Sequence, residues 1–296
     1  WGNMGGGATQ LIMPLLFSAL VVVGIGEFWA WRIAMFIAGL ICLVTGLAYY
    51  KLTQDLPEGN YKDLRAAGKL PESTKMKGLF REAASDYRVW VLFLAYGACF
   101  GVELTLNNIA AMYFMDYFGL SLMAAGGVAA AFGMTNLFAR TLGGYLGDVF
   151  GQRSGLAGRV RWLAVALVLE GVTLIAFSQM TSLALALTLM LIFSVFVKMS
   201  TGATFSIVPF INRPALGTVA GIVGAGGNFG AVSAGFLFKM ESISWNTALL
   251  ILGFIVIVCA GLTAAVRFSE DEEMQAKKDM EQLSGDITRG PVPDAA

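Results

Sequence analysis

An all-α protein that crosses a membrane several times is what this sequence predicts, and three observations predict it. Of 296 residues, 57% are hydrophobic and only 14% charged, where an ordinary globular domain carries roughly a quarter charged. The apolar residues gather into eight runs of about the 20 residues that a helix needs to cross a bilayer core. The basic residues stay out of most of these runs and collect in alternate loops, as they do on the cytoplasmic side of membrane proteins. Backbone polar groups in lipid must be satisfied within their own segment, so each run is expected to be a helix and not a strand.

The runs occupy residues 2–25, 29–50, 89–115, 124–146, 161–178, 183–210, 215–238 and 245–266. Between the second and third lies the one long polar connection, residues 51–88, whose charges, prolines and glycines predict a solvated, partly helical loop. It holds eight of the twenty Lys and Arg residues; three more lie in 153–161, one is Arg213, and four follow in the tail at Arg267, Lys277, Lys278 and Arg289. The turns near 116–123 and 179–182 hold none, and Arg32 and Lys239 are the two exceptions. The alternation places the 51–88 loop and the tail in the cytosol. The tail opens with the acidic run Glu270 to Glu273 and ends rich in Pro and Gly, so residues 268–296 are expected to be disordered. The sequence starts at Trp1 and reads as if cut from a longer chain.

Composition also excludes. Twenty basic and twenty acidic residues cancel, so no global field draws nucleic acid. Histidine is absent, which removes the commonest general base and metal ligand. Cys42, Cys99 and Cys259 stand far apart in apolar runs and read as packing residues with no metal or redox spacing. No cofactor, no metal and no enzymatic chemistry are predicted.

Three sets of residues point to function. The first is Gly144-x3-Asp148-x2-Gly151-x-Arg153 at the end of the fourth run. Close packing at Gly143 and Gly144 and an Asp148/Arg153 pair would form a conformational latch; a solvated loop with an ordinary helix-end charge is the alternative. The motif resembles the loop motif of the major facilitator superfamily, which follows the second helix of each six-helix half. That resemblance implies a twelve-helix fold of which about eight helices are present: residues 1–50 as the last two helices of the N-terminal bundle, 51–88 as the central cytoplasmic loop, and 89–267 as the C-terminal six-helix bundle.

The second set is a pair of glycine-rich runs, each around one asparagine: Gly2-Asn3-Met4-Gly5-Gly6-Gly7 and Gly224-Ala225-Gly226-Gly227-Asn228-Phe229-Gly230. Repetition in two halves points to a central substrate site, with glycines admitting close approach and amides offering directional hydrogen bonds. A small-residue helix interface with no ligand is the other reading. The two runs resemble the nitrate signatures of the nitrate/nitrite porter family, and Asp86 to Leu92, Tyr96 to Thr105, Gly202 to Phe205 and Pro209-Phe210 resemble its high-affinity branch. The resemblance implies Asn3, Gly5, Gly6, Gly226, Gly227 and Asn228 as substrate-binding positions.

The third set is charged or polar residues within the runs. Arg140 in an apolar helix costs about 2.5 to 3.5 kcal/mol even on insertion scales, so it is expected to face a cavity or a partner. Its planar fork can hold two oxygens of a flat trigonal anion at once. Snorkelling to the cytosol or pairing with Asp148 are the alternatives. Asn136-Leu137-Phe138-Ala139-Arg140 resembles the family's second-half substrate-arginine segment, and Tyr96 matches an aromatic position that lines the substrate site; a tyrosine packed in the core or in lipid is the alternative there. Glu103 lies seven residues beyond Tyr96, on nearly the same helix face, and is a candidate proton carrier; pairing with a basic residue or capping by Asn107 and Asn108 competes. Glu170 and Lys198 are further charges within helices, without a sequence signal for their distance.

Together these features predict a secondary transporter in the plasma membrane that binds nitrate, and also nitrite, and exposes it to either side in turn. Proton symport would overcome the opposing membrane potential, about 2.3 kcal/mol per charge per 100 mV. A nitrate/nitrite antiporter and a non-transporting anion sensor are the competing readings. The partners implied are the anion, protons, membrane lipid and, by resemblance to the high-affinity branch, an accessory subunit.

Overall fold

The computed structural model describes residues 4–70 and 78–278. Contacts gather the chain into two compact units, Trp1–Gln10 with Leu79–Ala296, and Leu11–Gly78. Asn3 and the distal tail lie outside the described residues. Before the helical stretch that opens the tail, the described residues form these α-helices in order: α1 (Met4–Val22), α2 (Glu27–Leu52), α3 (Tyr61–Ala66), α4 (Leu79–Ser85), α5 (Tyr87–Tyr96), α6 (Val102–Phe118), α7 (Leu122–Met134), α8 (Ala139–Ser178), α9 (Leu183–Phe205), α10 (Leu216–Lys239) and α11 (Trp245–Thr263). Among the described residues no β-strand forms beyond an isolated bridge between Leu56 and Gly59.

Among the described residues seven helical segments are long and apolar enough to cross a membrane, and one of them, Leu122–Ser178, runs for 57 residues. This segment folds back on itself at Ser154 and Gly155, which leave helical geometry; Gly155 sits at φ 66°. Gly143 and Trp162 would stand about 28 Å apart along a straight helix. Instead the Trp162 indole donates to the Gly143 carbonyl at 2.9 Å, and Phe150 stacks on Trp162 with centroids 5.4 Å apart. The seven segments therefore hold the eight apolar runs, and the chain is a multi-pass integral membrane protein.

In the unit Leu11–Gly78, α2 carries Arg32, whose guanidinium turns back to the Phe28 carbonyl and lies over the Phe28 and Trp31 rings at 3.7 and 4.2 Å. That is how a cation off the basic loops is accommodated. Cys42 is exposed on α2 and not a core residue as expected, whereas Cys99 and Cys259 are buried. After α2, the Asp55 carboxylate accepts from the Tyr61 N–H at 3.0 Å, at the start of α3.

In the other unit, Asp86 caps α5 by accepting from the Arg88 N–H at 2.8 Å. A π-helical turn, Gly97–Gly101, joins α5 to α6 without ending the crossing, which closes at Gly119 in the left-handed region, φ 68°. Single π turns inside helices recur at functional sites. The α7–α8 crossing is interrupted: Thr135–Leu137 form a 3-10 turn, and Phe138 at φ −127°, ψ −34° precedes a new helix from Ala139. A broken crossing leaves carbonyls of α7 and N–H groups of α8 without intrahelical partners, which is tolerated at membrane depth only inside protein or a cavity.

The beginning of the tail is ordered, contrary to the expectation for residues 268–296. Residues 270–278 are helical, and Ala276 is buried. Glu273 accepts from the N–H groups of Leu156 and Ala157 at 2.7 and 3.0 Å, and Glu272 pairs with Arg88 at 2.8 Å. The acidic opening of the tail answers one helix start and one arginine of the bundle.

Candidate functional site

The π turn and the broken crossing place their residues side by side. Arg140, the second residue of α8, donates from Nη2 to the Tyr96 hydroxyl at 3.3 Å, and its guanidinium carbon stands 5.2 Å from the centre of the Phe100 ring. Tyr96 ends α5 and Phe100 lies one π turn later, with the rings stacked at 5.0 Å. Phe205, at the end of α9, meets Tyr96 edge-on at 5.0 Å. Arg140 is half-buried. It forms no ion pair with Asp148 or with any other carboxylate among the described residues. A guanidinium held by a hydroxyl and an aromatic face retains donors for a planar oxyanion.

The glycine runs divide between packing and site. A Cβ at Gly226 would collide with the Phe93 carbonyl, and one at Gly230 with the Gly97 carbonyl, so these positions let α10 close on α5 and the π turn. That is the small-residue interface. Gly227 faces the aromatic pair: a Cβ there would stand 2.5 Å from the Phe100 ring and 2.9 Å from the Tyr96 ring. Its missing side chain is the space those rings occupy. Asn228 is exposed on α10. In the first run, Gly7 is the residue in contact, since a Cβ on it would lie 2.8 Å from the Gly133 backbone; at Gly6 it would lie 3.9 Å from the Asn107 side chain, and at Gly5 it would meet nothing. Gln10, next to this run, donates to the Asn107 carbonyl at 2.6 Å.

Glu103 is 1% exposed on α6. Its Oε1 accepts from the Asn136 side chain at 2.7 Å, while Oε2 has no hydrogen-bond partner. The partner is thus neither Asn107 nor Asn108 but a residue of the 3-10 turn just before Arg140. Lys198 on α9 is fully buried, with Nζ donating to the Phe132 carbonyl at 2.8 Å and lying 3.8 Å from the centre of the Phe132 ring. Glu170 is fully buried on α8 and forms no ion pair with Lys198. Sequence reasoning missed what Lys198 does because its partner is a main-chain carbonyl beside a helix break that leaves no mark in composition.

The latch motif is built differently from the expectation. Asp148 pairs with Arg159, across the bend at Ser154 and Gly155, while Arg153 is exposed. Arg159 also donates to the Ser206 carbonyl at 3.2 Å and lies over the Phe210 ring. Tight packing belongs to Gly143, where a Cβ would collide with the Met199 backbone; at Gly144 the nearest atom would be the Gly202 carbonyl at 3.9 Å, an ordinary contact. An apolar cavity of 180 Å³ among Phe93, Val102, Phe229 and Leu252 lies apart from Arg140. Its lining hydroxyl, Ser233, donates to the Phe229 carbonyl.

The profile of the Major Facilitator Superfamily matches residues 1–208 and, in a second alignment, residues 99–293. The chain belongs to the major facilitator superfamily. Among curated members of that superfamily it is 43% identical over 261 residues to a protein of Arabidopsis thaliana named high affinity nitrate transporter 2.5, covering 88% of this chain and 52% of the relative. It is 40% identical to high-affinity nitrate transporter 2.3 of Oryza sativa subsp. japonica, over 88% of this chain and 50% of the relative. It is 26% identical to the nitrate/nitrite transporter NrtP of Nostoc punctiforme, over 89% of this chain and 65% of the relative. These relatives are named for transport of nitrate or of nitrate and nitrite. The chain spans about half the length of the first two relatives. Among solved structures, a bacterial homologue of the human lysosomal transporter Spinster, inward-facing and unoccupied, superposes with a TM-score of 0.60 at 17% identity, covering 94% of this chain and 69% of that one. This shares the major facilitator fold.

Proposed function

We propose that this chain is part of a carrier that moves nitrate, and also nitrite, across the plasma membrane by alternating access, with Arg140 as the second-half anion ligand. One observation carries the reading: a guanidinium inside an apolar crossing rests on a hydroxyl and an aromatic ring, and not on a carboxylate. A carboxylate partner would already neutralise it; an alcohol and a π face orient it and leave its charge for the substrate. The half-helix beginning at Ala139 adds the positive end of its dipole to the same place. Tyr96 and Phe100 offer a flat wall for a flat anion and exclude water, which strengthens the arginine contact. The names of the curated relatives agree with this substrate.

Proton symport follows from Glu103, a carboxyl group joined to the arginine's own segment through Asn136. Residues 1–50 would then belong to the first bundle, 51–88 to the cytoplasmic loop and 89–267 to the second bundle, with the Asp148–Arg159 pair at the mobile end. An accessory subunit is part of the proposal for the whole carrier. Uptake of isotope-labelled nitrate by the full-length carrier tests it: Arg140→Lys abolishes uptake at unchanged amount in the membrane, and normal uptake by that variant would refute the assignment. Flux that ignores an imposed pH gradient and follows internal nitrite would instead favour exchange.

A further inference from the structure

The interruption between α7 and α8 is held from two sides by ionisable side chains. From α6, Glu103 accepts from Asn136 within the 3-10 turn. From α9, Lys198 donates to the carbonyl of Phe132, one of the last four residues of α7. Carbonyls in that position lack intrahelical partners and stand at the negative end of the helix dipole. The Thr135 hydroxyl donates to the same carbonyl at 2.8 Å. A fully buried ammonium is costly unless it is fixed by acceptors. Here the acceptors are one main-chain oxygen and the face of the Phe132 ring, itself stacked on Phe193.

We infer that Lys198 is a positioning residue: by holding the end of α7 it fixes where α8 starts, and so where Arg140 stands against Tyr96. Lys198 does not touch the anion. Its ammonium completes the broken helix that carries the anion ligand, and Phe132 and Arg140 are only eight residues apart on that segment. The inference rests on the reading of Arg140 as the anion ligand. Without the lysine, the end of α7 is held by the Thr135 hydroxyl and no longer from α9, the break relaxes, and the guanidinium loses its fixed distance from the Tyr96 hydroxyl. Affinity is then lost ahead of turnover, because displaced geometry weakens binding while the transport cycle itself is intact.

The test measures saturation of labelled nitrate uptake by the full-length carrier bearing Lys198→Met or Lys198→Arg, normalised to carrier in the membrane, with Arg140→Lys in parallel. The inference expects the half-saturating nitrate concentration to rise about tenfold for Lys198→Met and less for Lys198→Arg, with maximal rate within twofold of the parent. A half-saturating concentration within twofold of the parent in Lys198→Met would overturn it. Should Lys198→Met fail to reach the membrane, Lys198→Arg decides, since it keeps the charge but moves the donors: unchanged affinity overturns the inference, and weakened affinity at full maximal rate supports it. If the Lys198 variants behave as the parent while Arg140→Lys is inactive, only this inference fails. If Arg140→Lys transports normally, the reading of the site fails with it.

Discussion

Asp148 and Arg159 meet across the bend at Ser154 and Gly155, an exposed carboxylate on a guanidinium that is only 4% exposed. The two partners are therefore not equivalent. Losing Asp148 removes a solvent-screened ion pair, about 1 kcal/mol or less. Losing Arg159 also leaves the Ser206 carbonyl without this donor and empties the space over Phe210, and is expected to cost about 2 kcal/mol or more. Thermal unfolding of the purified carrier checks the order: Arg159→Met falls further than Asp148→Asn, and Arg153→Met, at an exposed site, leaves the midpoint unchanged.

Gly227 gives the most local test of the site's shape. A methyl there presses on both Tyr96 and Phe100, so Gly227→Ala displaces the wall against which Arg140 is held. Since misplacement by about 1 Å can cost two orders of magnitude in rate, nitrate uptake should drop at least tenfold at normal abundance in the membrane. Uptake equal to the parent would mean that the rings do not shape the site.

Glu103 separates proton coupling from binding. Glu103→Gln keeps an acceptor oxygen for Asn136 and removes the carboxyl group. The expected variant still carries nitrate down its own gradient, and its uptake no longer responds to external pH. Proton-dependent uptake like that of the parent would remove Glu103 from the mechanism.

The tail helix has a pH dependence whose sign can be worked out from Glu272. Partial burial pushes its carboxyl up, but the Ser269 N–H and Arg88 outweigh this and hold it below the usual glutamate value. A carboxyl lowered in the docked state binds its proton more weakly there than when free. Its contribution to docking is present above the free value of about 4.3 and is lost as pH falls through the lower docked value. A nitroxide label at the exposed position 277 should be immobilised at neutral pH and mobile in acid. Glu272→Gln should loosen it at neutral pH already.

Much of this architecture is legible in the residues because lipid imposes simple demands. Runs of about 20 apolar residues have no alternative to helices, which is why the eight runs correspond to the crossings. Arg140 and Glu103 stand out because charge in hydrocarbon needs a reason, and the structure brings both to one short segment. What is not legible depends on backbone geometry. The 3-10 turn at Thr135–Leu137 interrupts an apolar stretch without proline, so nothing announced the main-chain carbonyl that Lys198 takes up. Asp148 has Arg153 nearer in sequence, but the bend turns Arg159 onto it. The ordered tail did carry a sign: Ser269-x-x-Glu272 is a capping box, and Glu272 accepts from both the N–H and the hydroxyl of Ser269. The acidic composition of the tail concealed it.

Equilibrium binding of nitrate to the purified full-length carrier, compared between the parent and Arg140→Lys, tests the central claim without the transport cycle. Lysine keeps the charge but not the planar fork, so affinity should fall at least tenfold while thermal stability is kept. Nitrate binding within twofold of the parent would contradict the assignment of Arg140 as the anion ligand.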